Sequence, residues 1–196
     1  MMFRWILRGC AALALWLPVQ MASAQVVVTF YSHDLDDHFP HAFFTLEGTP
    51  EAGGVPVDTN YGFTAKTITP AILFGSVAGR IDIAKPGYVA HSKPHFSMTL
   101  TDAQYAAILG VVDKWRDAPS PSYNMNTANC VFFVGEAAQA IGLDVAFPKK
   151  LMKKPRSYLE QLHQLNPQVT DMRMVGRQKD KRDDDAKPAE TAVAAN

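Results

Sequence analysis

Residues 129–141, NCVFFVGEAAQAI, constrain the fold more than any other stretch. They read as a helix that is apolar on most sides and stops at Gly142, a good residue just past a helix end. A helix with so wide an apolar surface has to be packed into a core, so the rest of the chain must cover it. The first half supplies strands. Residues 25–32, QVVVTFYS, are β-branched and aromatic; residues 41–47, HAFFTLE, alternate; residues 55–65, VPVDTNYGFTA, read as a third strand with Pro56 near its beginning. Residues 79–84 and 95–100 are two further candidates. Thr69-Pro70 opens a short helical piece through Phe74, and residues 85–93, KPGYVAHSK, read as a loop. Residues 101–115 form a helix announced by a Thr101–Gln104 capping box, with Tyr105, Ile108, Leu109, Val112 and Trp115 at helical spacing. Ser157–Glu160 reads as a second capping box, for a helix through Leu165. Strands dominate the first half and helices the second, which predicts an α+β fold.

Both ends separate from this unit. Residues 1–24 carry Arg4 and Arg8, an apolar run from Cys10 to Val19, and Ala22-Ser23-Ala24. That is the pattern of a signal peptide cut after Ala24, with an apolar run too short to span a bilayer. The expectation is an exported protein, periplasmic or extracellular, with no transmembrane span in the mature chain. Residues 177–196 hold almost no large apolar side chain and read as a disordered tail. The domain is therefore residues 25–170. Losing the leader removes two arginines and no acid, so the net charge moves from zero to −2, which offers nucleic acid no basic field.

The leader also takes one of the two cysteines. Cys130 is left as a lone thiol, with no disulfide open to it. Asn129 is a good N-cap, so Cys130 falls in the first helical turn, where the helix dipole favours thiolate and free N–H groups can receive an oxyanion. The competing reading is a small buried hydrophobe beside Val131, Phe132 and Phe133. A thiolate hydrolase also needs an imidazole. His41, opening a strand after Pro40, is preferred over His38 and His95, while His163 lies on a polar helix. Asp58 and Asn60, two apart on the next strand, share one face, and either is a candidate to orient the imidazole.

The run Tyr123-Asn124 … Asn129-Cys130-Val131-Phe132-Phe133-Val134 resembles the Y…NCxxFV signature of circularly permuted NlpC-like papain-fold proteins, among them the lecithin retinol acyltransferase-like group. The order His41, then Asp58-Thr59-Asn60-Tyr61-Gly62, then Asn129-Cys130 follows the permuted order over roughly residues 38–142. The resemblance implies an antiparallel sheet packed against a central helix carrying Cys130. By the same resemblance Cys130 is nucleophile, His41 base and Asn60 or Asp58 the orienting group, with Asn129 and Tyr123 in support. The sequence departs from the family where Val131-Phe132 replaces a polar pair, and where a second histidine is missing from the strand of Asp58 and Asn60.

The function expected is a thiol hydrolase or acyltransferase acting on a peptide amide or acyl ester, without a cofactor. Compartment and fold analogy suggest a cell-wall peptide. Two alternatives stand beside it. One is a catalytically degenerate papain-like module for binding or envelope assembly. The other is a metal-binding protein using His33, Asp36 and His38 in the polar loop before His41, where the ligand types fit but no metal-site spacing appears.

Overall fold

The computed structural model describes residues 25–34 and 39–172; the expected leader and tail, and the loop residues 35–38, lie outside them. The chain forms β1 (Val26–His33), β2 (His41–Gly48), β3 (Val57–Ala65) and β4 (Val77–Asp82), then α1 (Pro86–Ala90), β5 (Lys93–Leu100) and α2 (Asp102–Arg116). After these come β6 (Ser122–Tyr123), α3 (Cys130–Ala140), α4 (Pro155–Leu165) and β7 (Thr170–Asp171). The strands make one antiparallel sheet in the order β6-β4-β3-β2-β1-β5-β7. The α+β expectation holds, with β1 to β4 a meander and β5 added on the far side of β1.

Alternation along the strands divides the sheet into two unlike faces. Val28, Phe30, Ala42, Phe44, Leu46 and Phe63 turn one way, into the core under α2, α3 and α4. Phe30 stacks on Phe96 at 4.8 Å, Phe44 on Phe133 at 5.6 Å, and Trp115 meets Phe63 edge-on at 4.6 Å. Each such ring removed from water contributes about 1.5–3 kcal/mol. On the other face Tyr31, Phe43 and Tyr88 form a separate aromatic group, with Tyr31 stacked on Phe43 at 5.3 Å. To pass from β4 to β5 the chain must cross that second face, and residues 83–92 form the strap that does so.

The helix ends follow the sequence with two exceptions. The Thr101 capping box forms as expected, with Gln104 closing it. At the end of α3, Gly142 sits at φ +89, and Leu143 N–H donates to the Ala138 carbonyl at 3.1 Å, a Schellman closure only glycine enters without strain. The expected Ser157–Glu160 capping box does not form, because α4 begins at Pro155, whose fixed φ suits a first helical position and leaves Ser157 inside the first turn. Residues 86–90, expected as loop, are helical for the same reason. Thr69-Pro70 opens a single 3-10 turn, Pro70–Leu73. β4 starts and ends two residues earlier than expected, since Ala84 is held by a side chain instead of a neighbouring strand. β6 and β7, two residues each, have no counterpart in the expectation.

Candidate functional site

Asn129 accepts from the backbone N–H groups of Val131 at 2.8 Å and Phe132 at 3.3 Å, capping α3 as its sequence predicts. Its amide nitrogen donates to the carbonyls of Met125 and Met152, both at 2.8 Å, so this one side chain ties three segments together at the start of the helix. Cys130 follows as the first helical residue and is only 3% exposed. Burial pushes its thiol up to about 11, and the backbone N–H groups of Ala42, Val131 and Cys130 itself pull partly in the opposite direction. Tyr123 lies close enough that the thiolate charge adds to burial in raising its phenol; its ring stacks on Phe63 at 6.0 Å. Asn129, Cys130 and Tyr123 are thus brought together.

His41 occupies the other face of β2. Its ring stacks on Phe43 at 6.1 Å, and its Nε2 lies where a side chain on Gly62 would begin, so only glycine leaves the ring room there. Burial lowers the imidazole to about 4; Asp82 works against that, and His33, its cross-strand neighbour, reinforces it. Among the described residues no hydrogen bond joins His41 to Cys130. The two elements still meet, since α3 packs on β2 with Phe133 stacked on Phe44.

The two expected orienting groups do other things. Asn60 is buried with both ends of its amide committed to Ala84: its nitrogen donates to the Ala84 carbonyl at 3.0 Å and its oxygen accepts from the Ala84 N–H at 2.7 Å. It fastens the strap. Asp58 is exposed, opposite Glu47 near the far end of β3. The carboxylate that acts on His41 is Asp82, paired across the sheet with Gly62 and bound to Arg80 at 2.7 Å. Sequence reasoning missed Asp82 because its place depends on a register set by three strands.

A second buried pair was also missed. Ser32 Oγ and His95 Nε2 are 2.8 Å apart, both fully enclosed on the helix-covered face, with Ser32 directly across the ladder from Ala42. His95 turns inward because β5 bulges there, its register against β1 shifting between Phe30 and Tyr31. Pro94, inside the strand, was the available signal. Of the expected metal ligands, Asp36 and His38 lie outside the described residues, and His33 Nδ1 is 3.0 Å from Ser92 Oγ. Among the described residues no group of three or more ligating side chains gathers, and no helix is long and apolar enough to cross a membrane.

No protein-family model, curated protein or solved structure matches this chain.

Proposed function

We propose that the chain is a permuted papain-like thiol hydrolase or acyltransferase, exported to the periplasm or the exterior, with Cys130 as nucleophile and His41 as base. The observation that carries this reading is the packing of α3, which Cys130 opens, against β2, which His41 opens. In the reaction Cys130 Sγ bonds to the carbonyl carbon of an amide or ester, and its proton passes to His41. The oxyanion is received by the Cys130 N–H, since Asn129 takes up those of Val131 and Phe132. The proton returns to the leaving amine or alcohol, and water or a second acceptor then releases the acyl group. Proton transfer requires the His41 ring to leave its seat over Gly62, and with it the neighbourhood of Asp82, and to reach the thiol on the helix-covered side of β2. A peptide amide of the cell wall is the substrate that compartment and fold analogy favour.

A second reading has its own support. A thiol 3% exposed and held near 11 is a poor nucleophile at neutral pH, which favours a papain-like module that binds without catalysing. Iodoacetamide alkylation at Cys130, followed by peptide mass spectrometry across pH 5–10 in the wild type and His41→Ala, separates the two. Reaction near pH 6 that His41→Ala slows supports the enzyme. A thiol that stays inert until the protein unfolds rules it out and leaves the binding module.

A further inference from the structure

The start of α3 is flanked by two exposed segments of opposite chemistry. On one side is the connection between β3 and β4, where Ile68, Leu73 and Phe74 are 59%, 64% and 87% exposed. This is an ordered turn: Ile72 is buried beneath it, and the N–H groups of Ile72 and Phe74 donate to the carbonyls of Thr69 and Ala71, both at 3.1 Å. On the other side is the connection between α3 and α4, whose Lys149, Lys150, Lys153 and Lys154 are all exposed. Among the described residues none of these four is in an ion pair, whereas Arg156 beside them is bound to Asp34 and Glu160.

The loop before Cys130 is hydrogen-bonded to both segments. Asn124 Nδ2 donates to Ser76 Oγ at 2.9 Å, at the root of the apolar turn, and Asn129 Nδ2 donates to the Met152 carbonyl at 2.8 Å, in the middle of the lysine run. A soluble surface has little reason to hold leucine and phenylalanine tips outward on a segment tied to the same loop as a run of lysines. An interfacial surface has reason for both: apolar side chains enter the boundary of the acyl chains while lysines meet anionic headgroups.

We propose that the β3–β4 turn and the 149–154 lysine run form one docking surface for an anionic phospholipid bilayer, with Leu73 and Phe74 inserting and the four lysines at headgroup level. The surface does not depend on whether Cys130 is a nucleophile.

Hydrogen exchange of the full chain, read by mass spectrometry segment by segment, tests this with vesicles of phosphatidylcholine alone and of phosphatidylcholine with phosphatidylglycerol. The expected result is slower exchange in residues 66–76 and 149–154 together, with the anionic vesicles only. The local readout keeps any contribution from residues 1–24 apart. Leu73→Ser with Phe74→Ser should weaken binding at least about tenfold, since two apolar side chains leave the bilayer. Lys150→Ala with Lys153→Ala should weaken it about 25-fold. All four positions are solvent-facing or nearly so, and an unchanged melting curve checks that each variant folds. Protection of 149–154 without 66–76 overturns the proposal in favour of a polyanion that the lysines bind without insertion. Protection of neither, or equal protection by neutral vesicles, overturns it outright.

Discussion

The two faces of the sheet hold themselves in place by different means. Under the helices, Phe30, Phe44, Phe96 and Phe133 pack ring on ring, and few polar atoms intrude beyond Ser32 and His95. On the opposite face a strap crosses from β4 to β5, fastened by named polar contacts: Asn60 on Ala84, His33 on Ser92, and the Tyr88 ring over His33 at 4.1 Å. The first arrangement resists change through area and close packing. The second depends on a few hydrogen bonds, each directional, and on one stacked pair of rings. The same alternation in HAFFTLEG feeds both, sending Ala42, Phe44 and Leu46 to one and His41 and Phe43 to the other.

The largest effect that could break this comparison is at neighbouring phenylalanines. Phe44→Ala should destabilise by about 3–5 kcal/mol, and Phe43→Ala by about 1 kcal/mol less, because the strap above Phe43 can settle into the space whereas α3 cannot. Equal losses in urea denaturation would show that the faces are equally rigid. Next comes acid. The folded pKa of His41, about 4, is below its ordinary 6.5, so the unfolded chain takes up the proton first. Its contribution is complete above pH 6.5 and is lost as pH falls from 6.5 toward 4, by up to about 3 kcal/mol. Stability measured over that window should fall in the wild type and flatten in His41→Gln; an equally steep fall in His41→Gln would assign the acid sensitivity elsewhere.

Asn60→Ala leaves both backbone groups of Ala84 without their side-chain partner and should lose about 1–3 kcal/mol. Hydrogen exchange should quicken across residues 83–92 ahead of the rest; uniform quickening would mean the strap has no independence. The smallest effect is at the edge of the helical layer, where Thr101→Ala removes one cap and should lower stability by about 1 kcal/mol in thermal melts. A loss near that of Phe44→Ala would contradict the view that this layer rests on burial.

What could be read from the sequence was what depends on neighbours in the chain. The caps at Thr101 and Asn129, the stop at Gly142 and the two-face split of residues 41–47 all came from spacing alone. That split also carried a question alternation cannot answer, namely which face would meet the helices. Periodicity names the residues that travel together but not their destination. Chemistry and a shared face nominate Asn60 and Asp58. Whether either reaches His41 depends on how far along β3 each lies from the end of β2, a long-range register. Asp82 and the bulge at His95 were hidden for the same reason, one needing the β3–β4 pairing and the other the β1–β5 pairing.

The strand order has a further consequence for the sequence of events during synthesis. β1 is made first and lies inside the sheet, between β2 and β5. As the chain lengthens, β2, β3 and β4 can add one after another through short connections, all on one side. The other side of β1, a run of unsatisfied amides and carbonyls beside Val26, Val28 and Phe30, stays open until residues 93–100 have been made and have swung across. A nascent chain that stops short of residue 93 would thus present a bare, strongly β-forming border of the kind that recruits copies of itself. The time taken to deliver β5 then governs how much of the protein reaches its native form.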